Sequence, residues 1–460
     1  MIRKLVIGAA GLVALFLVTG SHSPTSEHTR ATSASKPDEA NATTFGSGAR
    51  RMPLVGATRG PRVSWWMQGG TLVRVDPHTF RPLPHPRIEL GFHGYSWSYS
   101  PDRSKLVLGG FASGLRFVDL NRFRQLGDLR ENRRGGLVLA VAWPRPRRVL
   151  AVVQEPWGGG PLTLATVDPI KRTVLGRRSV SNRTTVVRTT ANRLGLFLLL
   201  APRAGIGPAK LLFVDARGAA RTVVLARVRA GQVSGRPSTT GRVNRWWGPD
   251  LTLDLAGRRA FVVGGAAPVA EIDLRTMRVT YHELREPISF LGQLRNWLEP
   301  AAQAKGETAG PVRYARWLGD GRLAVSGFDA RGKTPSSARG LKVIDTHTWA
   351  VRTLDRKAGD FVSTQRLLLA YGSWVVDGSL GLTAYDKTGK ALWHLFRRRP
   401  IHAVQVREGR AYVRLEGTWG PRGPLVAVVD LRKGKVLRTV RTPWTQLLLP
   451  QESSMAEKES

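Results

Sequence analysis

Leu115-Arg116-Phe117-Val118-Asp119 alternates its side chains and stops on an aspartate. A period of two marks a strand with one buried face, and the aspartate marks a turn. The pattern recurs as Leu72-Val73-Arg74-Val75-Asp76, Leu164-Ala165-Thr166-Val167-Asp168, Leu211-Leu212-Phe213-Val214-Asp215 and Val269-Ala270-Glu271-Ile272-Asp273. It returns as Leu341-Lys342-Val343-Ile344-Asp345, Leu382-Thr383-Ala384-Tyr385-Asp386 and Val426-Ala427-Val428-Val429-Asp430. Successive aspartates are 43, 49, 47, 58, 72, 41 and 44 residues apart. A repeat of about 40–50 residues with four short strands predicts an all-β chain, a β-propeller of about eight blades. Seven is the alternative if one irregular unit fails to form. The aspartates are expected to accept backbone N–H bonds at strand ends rather than to ligate metal.

A second element precedes each of these. Tyr99-Ser100-Pro101-Asp102-Arg103-Ser104-Lys105-Leu106 reads as strand, tight turn, strand, and so do Trp143-Pro144-Arg145-Pro146-Arg147-Arg148-Val149 and Trp317-Leu318-Gly319-Asp320-Gly321-Arg322-Leu323. Tyr99, Trp143 and Trp317 therefore occupy equivalent positions and are expected to pack between blades. The first unit starts late, and Trp444-Thr445-Gln446-Leu447-Leu448-Leu449 is expected to supply its missing strand. Closure by both termini would leave no open sheet edge.

The Ser100-Pro101-Asp102 turn resembles that of the YVTN/TolB-type propeller repeats, and Asp386-Lys387-Thr388-Gly389-Lys390-Ala391-Leu392-Trp393 resembles one repeat of the quinoprotein (PQQ-like) propellers. The resemblance covers repeat grammar over roughly residues 62–450 and implies an architecture; those families do unrelated jobs on one scaffold. Only one repeat carries the Thr-Gly…Trp pattern, so no quinone or other cofactor is expected.

Residues 1–20 read as a signal peptide. Met1-Ile2-Arg3-Lys4 is positive, Leu5 to Gly20 is apolar or small, and Val18-Thr19-Gly20 offers a cleavage site. The apolar stretch falls short of the about 20 residues a membrane span needs, and an uncleaved N-terminal anchor is the alternative. An extracellular or cell-surface location follows. Residues 21–60 form a Ser/Thr/Ala-rich linker with no apolar period, 61–450 one propeller domain, and 451–460 a polar tail. With no cysteine, thiol catalysis, disulfides, iron–sulfur clusters, Cys-ligated zinc and lipoprotein attachment are all excluded.

The net charge of +38 favours polyanionic partners: acidic glycans, wall polymers, anionic lipid surfaces or nucleic acid. Arginine-rich composition from a high-GC coding sequence is the competing explanation, because the cations spread over every repeat. No specific nucleic acid is expected, and the chain is expected to be a monomer.

In a meander A-B-C-D, the A–B and C–D turns share one face and the B–C and D–A loops share the other. The short turns here are A–B and C–D, and the long loops are B–C and D–A. Function usually collects on long loops carried by a rigid scaffold. Binding candidates there are Phe111, Trp157, Arg203, Phe328, Arg331, Lys333, Trp419 and Arg422, since aromatic faces stack on sugars and guanidinium forks hold carboxylate or phosphate. A helical insertion is expected at about 285–310, with Phe290, Leu294 and Trp297 on one apolar stripe as a cap, lid or partner-binding helix.

The nine histidines show no HExxH or HxH spacing, and no Walker loop, dinucleotide fingerprint or GxSxG elbow is present. No metal site and no catalytic residue can be named. The leading expectation is an exported, non-enzymatic binding propeller with an anionic or glycan partner of the cell envelope. The alternatives are an extracellular enzyme at the channel mouth, either quinoprotein-like or polysaccharide-cleaving, and an envelope assembly scaffold for a protein partner.

Overall fold

The computed structural model describes residues 64–448 apart from 69–70, 76–81, 91–93, 111–113, 131–135, 155–160, 182, 239–240, 266, 285–307, 332–333, 365, 373–380, 408, 416–424 and 442–445. The described strands fall into eight antiparallel sheets, the blades of a propeller. Blade 1 holds β1 (Ser64–Gln68), β2 (Thr71–Val75) and β3 (Pro82–Glu89); blade 2 holds β4 (Gly94–Tyr99), β5 (Lys105–Gly110), β6 (Gly114–Asp119) and β7 (Arg124–Arg130). Blade 3 holds β8 (Leu137–Arg145), β9 (Arg148–Gln154), β10 (Leu162–Asp168) and β11 (Thr173–Ser181). Blade 4 has five strands: β12 (Thr184–Asn192), β13 (Gly195–Pro202), β14 (Gly205–Asp215), β15 (Ala220–Ser238) and β16 (Gly241–Trp247). Blade 5 holds β17 (Asp250–Asp254), β18 (Arg259–Val263), β19 (Val269–Asp273) and β20 (Val279–His282).

Blade 6 is built from β21 (Thr308–Gly319), β22 (Arg322–Arg331), β23 (Thr334–Ala338), β24 (Leu341–Asp345) and β25 (Val351–Asp355), with β23 folded back on β22. Blade 7 holds β26 (Asp360–Ser363), β27 (Leu367–Tyr371), β28 (Leu382–Asp386) and β29 (Ala391–Leu395). Blade 8 holds β30 (Ile401–Arg407), β31 (Arg410–Leu415), β32 (Leu425–Asp430) and β33 (Lys435–Arg441). The last strand, β34 (Gln446–Leu448), pairs with β1 through Trp65↔Leu448, Trp66↔Leu447 and Met67↔Gln446. The end of the chain thus supplies the first blade's inner strand, as the late start of that unit predicts. Of the expected helical insertion, residues 285–307 with Phe290, Leu294 and Trp297 lie outside the described residues, and 308–310 open β21.

The core lies between blades. Phe197 and Leu211 of blade 4 pack with Leu251, Val262 and Ile272 of blade 5, and Phe117 of blade 2 packs with Val141 and Trp143 of blade 3. Trp143 meets Phe117 edge-on at 5.9 Å, and Trp317 of blade 6 stacks on Phe261 of blade 5 at 5.1 Å. Tyr99 is buried in the cluster that joins blades 1 and 2. The three aromatics therefore act in packing between blades.

Inner strands of neighbouring blades are joined by polar side chains two residues apart. Ser96 and Ser98 accept the amides of Val141 and Trp143 at 2.9 and 3.0 Å, and Asp250 and Thr252 accept those of Ala315 and Trp317 at 2.8 Å. Each inner-strand edge would otherwise leave these amides unsatisfied.

A second set of fasteners works at the C–D turns, and arginine supplies most of it. Arg148 donates to the Arg217 carbonyl of blade 4 at 2.6 Å, and Arg221 to the Leu274 and Arg275 carbonyls of blade 5 at 2.8 and 2.6 Å. Arg322 and Arg352 of blade 6 donate to the Lys387 and Thr388 carbonyls of blade 7 at 2.8 and 2.5 Å. Trp393 of blade 7 donates its indole N–H to the Leu431 carbonyl at 3.2 Å and lies against Gly434, where φ is +61° and a Cβ would collide with the ring. A guanidinium carries five donors on a long stem and can reach a turn in the next blade. Part of the arginine content is therefore structural.

The aspartates at the ends of the C strands cap the turns, as their sequence position predicts. Asp168 accepts from the amides of Ile170 and Lys171, Asp273 from Arg275 and Thr276, Asp345 from His347 and Thr348, and Asp430 from Arg432 and Lys433, all at 2.7–3.0 Å. The amides of Lys171, Thr276, Thr348 and Lys433 do most to hold these four carboxyls below their ordinary pKa, and for Asp386 the Thr388 hydroxyl leads. A carboxyl whose pKa falls on folding stabilises the fold above its unfolded pKa of about 4 and ceases to do so as pH drops through the folded value. The melting temperature is accordingly expected to be level from about pH 7 to 5 and to decline below about pH 4. Replacing all five aspartates by asparagine should make that acid limb shallower in a calorimetric pH series. An unchanged limb would show that the caps do not carry the acid sensitivity.

Candidate functional site

The long-loop face is not uniform, and among the described residues its added strands lie on blades 4 to 6. β15 runs past the normal blade edge, and its outer half pairs with β14 (Gly205↔Gln232, Pro208↔Arg229) and with β16 (Gly231↔Trp247, Ser238↔Gly241). The chain then enters β17 directly, and Gly248 bridges Val312 of β21 in parallel, with Gly248 N–H to Pro311 O and Arg313 N–H to Gly248 O both 2.9 Å. Gly310, at φ +99°, lies so close to the Trp246 carbonyl that a Cβ would collide with it. β22 and β23 make the third addition, a hairpin with Phe328↔Ala338 and Arg331↔Thr334 in register. The sector is thus bounded by the β15–β16 hairpin, the β22–β23 hairpin and the point where the 285–307 segment re-enters at Thr308.

Within it, the Phe328 side chain is buried against Val312, with Trp246, Tyr314 and Ala338 partly buried around it. Tyr314 meets the Phe328 ring at 6.3 Å. Beside these rings Asp329 is gripped from two sides. Arg313 Nη1 stands 2.9 Å from its Oδ1, and Arg339 Nε donates to its Oδ2 at 2.5 Å. Arg313 also donates to the Phe328 carbonyl at 3.1 Å. Burial alone would raise the Asp329 pKa, but the Arg339 hydrogen bond and the Arg313 and Arg339 charges outweigh it and hold the carboxyl below its ordinary value. The Arg339 side chain remains 53% exposed, whereas that of Arg313 is 12% exposed.

On the inner strands, Arg188 of β12 brings Nε to 3.2 Å from Asp250 Oδ1 and lies over the Tyr314 ring at 5.8 Å. Asp250 is at the same time the acceptor for the Ala315 amide. One carboxylate thereby ties blades 4, 5 and 6 together. Asp250 and Asp329 are both engaged by guanidinium. Among the described residues no group of three or more His, Asp or Glu side chains is placed to hold a metal ion.

Of the residues expected from sequence, Arg203, Phe328 and Arg331 fall on this sector. Arg203 sits in the B–C turn of blade 4 with its amide bonded to the Arg183 carbonyl at 2.9 Å, and Phe328 and Arg331 share β22. Phe328 is a packing residue of the sector floor, 6% exposed. Phe111, Trp157, Lys333, Trp419 and Arg422 lie outside the described residues. Arg188, Asp250, Arg313, Tyr314, Asp329, Arg339 and Trp246 were not singled out in the sequence. The legible signal was the arginine inside the Thr184-Thr185-Val186-Val187-Arg188-Thr189 strand, a charge where a blade interior expects none.

No protein-family model and no curated protein sequence matches the chain. Solved structures do. Dihydro-heme d1 dehydrogenase NirN, in complex with DHE, is similar with a TM-score of 0.54 at 14% identity, over 87% of this chain and 79% of that one. BamB from Moraxella catarrhalis gives 0.46 at 12% identity over 79% and 95%. The β-propeller domain of Myceliophteria thermophila Cps50 (Swd1) gives 0.37 at 12% identity over 76% and 86%. At such identities likeness extends to fold alone. The chain is an eight-bladed β-propeller.

Proposed function

We propose that the protein is an exported, non-enzymatic binding propeller that holds an anionic or glycan partner of the cell envelope on the sector over blades 4 to 6. The observation that carries this reading is the Arg313–Asp329–Arg339 triad set against Tyr314 and Phe328. Its two guanidiniums exceed its one carboxylate, and Arg339 keeps half its surface open to a ligand. A phosphate or carboxylate would find there a guanidinium fork already oriented by its neighbours, which lowers the ordering cost of binding.

The test is co-sedimentation with a glycerol-phosphate wall polymer and with polygalacturonate at about 50 mM and about 500 mM salt, where screening lengths differ severalfold. Arg339→Gln is expected to weaken the low-salt affinity about tenfold, the worth of one charge-assisted hydrogen bond. Arg331→Ala with Lys333→Ala should add to the loss. Binding that ignores all three changes, or no binding to either polymer, would sink the reading.

A further inference from the structure

On the reading that the Arg339 fork binds an anion, we propose that the ligand is a linear polyanion. It is held at several charges at once along a strand layer that runs from blade 4 to blade 6. The layer is continuous in its pairings. Ile206 of β14 pairs with Gly231 of β15, and Gly231 with Trp247 of β16. One residue on, Gly248 bridges Val312 of β21, Val312 pairs with Phe328 of β22, and Phe328 with Ala338 of β23. None of these pairings uses a strand of blade 5. Four strand steps of about 4.8 Å separate β15 from β23, so the β15–β16 ribbon and Arg339, the residue after Ala338, are fixed about 20 Å apart. Blade 4 has four strands without β16, so the ribbon is an addition that closing the blade does not require.

The charge of this layer is one-sided. Between Asp215 and Asp250 the sequence has no acid, and the ribbon in that stretch carries Arg229, Arg236, Arg242 and Arg245. Register sets Arg229 opposite Pro208, Arg242 opposite Pro237 and Arg245 opposite Val233, and Arg229 is exposed. The described acids of the sector are already engaged elsewhere: Glu283 by Arg227, Asp250 by Arg188, and Asp329 by Arg313 and Arg339. The capping aspartates belong to the C–D turns of the opposite face. A single small anion can use only the fork. A chain with an anionic group on every repeat can engage the fork and the ribbon together, and its second contact forms at the effective concentration that the first one sets. Two fixed points on one layer thus select a long ligand over a small one.

The full chain is to be titrated at about 50 mM salt with glycerol-phosphate oligomers of a single repeat and of about ten repeats. Galacturonate oligomers of the same lengths are the carboxylate counterpart, and the tighter series names the anionic group. The long chain is expected to bind at least about 100-fold more tightly than the single repeat. An exposed ion pair is worth up to about fivefold in affinity. Arg236→Gln with Arg242→Gln and Arg245→Gln should therefore weaken the long chain by about tenfold or more and leave the single repeat within about twofold. Arg339→Gln should weaken both lengths. If a melt shows the triple variant unfolded, Arg236→Gln and Arg242→Gln taken singly should each cost about two- to fivefold on the long chain alone. Equal affinity for the two lengths overturns the proposal and leaves the Arg339 reading standing. So does a folded ribbon variant that loses nothing on the long chain, or as much on the single repeat. Binding to vesicles with about one-third phosphatidylglycerol and none to the oligomers overturns it in favour of a bilayer. Indifference of both lengths to Arg339→Gln would sink the Arg339 reading itself, and the proposal with it.

Discussion

Asp250→Ala is expected to destabilise the propeller by about 4 kcal/mol, the cost of leaving a buried charge without its partner. The side chain is 4% exposed and engages the Arg188 guanidinium of blade 4 and the Ala315 amide of blade 6 in the interior. Alanine strands a guanidinium that is itself only 15% exposed and orphans an inner-strand amide, and an orphaned buried amide alone costs about 1–3 kcal/mol. Asp250→Asn keeps an acceptor for Ala315 and should lose about half as much, since only the charge goes. Removing Arg188 together with Asp250 should recover part of the loss, because no lone charge remains, and the double-mutant cycle in a denaturant series reads the coupling. A single alanine variant within about 1 kcal/mol of the parent would show that the three blades are not held at this carboxylate.

The site is less legible in the sequence than the fold, and the difference is physical. Strand C and its aspartate could be read because the determinants are local: alternation sets the buried face, and the carboxylate bonds to amides two and three residues on, as Asp168 and Asp430 do. Closure by the segment around Leu447 was legible by subtraction, since one blade lacked a strand. The arginine fasteners were not, because Arg148 and Arg217 are 69 residues apart and nothing beside either one names the other. The β15–β16 hairpin was missed for a different reason. Gln232-Val233-Ser234-Gly235-Arg236-Pro237-Ser238 is rich in small and polar residues and reads as loop, yet it pairs because β16 offers an edge along it, while β14 reaches only to Gln232. Pairing imposed by neighbours overrides weak propensity. Arg188 and Asp250, each unfavourable alone in a blade interior, become compatible only when the ring brings β12 beside β17.

Ending the chain after Arg441 is expected to lower the melting temperature by about 4 °C and to make the protein associate at high concentration. The deletion removes β34, whose pairing with Trp65, Trp66 and Met67 completes blade 1. About three ladder hydrogen bonds at about 1 kcal/mol each are lost, and at about 2.1 cal/mol/K of unfolding entropy per residue a domain of this size shifts by about 1 °C per kcal/mol. Blade 1 is also the only link that closes the described ring between blades 8 and 2, so its weakening exposes the inner edge of β1 as a template for another chain. Cutting instead after Pro450 keeps β34 and should leave both melting temperature and oligomeric state unchanged. A synthetic peptide of residues 442–450, added to the shorter chain, should dock on that edge by strand addition and restore part of the melting temperature. If the shorter chain melts like the parent and keeps its oligomeric state, closure does not depend on β34 and blade 1 is held by its contacts with blade 2, where Leu72 and Ile88 pack on Trp97 and Leu106. A loss of stability that the peptide repairs would place the closing energy of the ring in these few residues at the end of the chain.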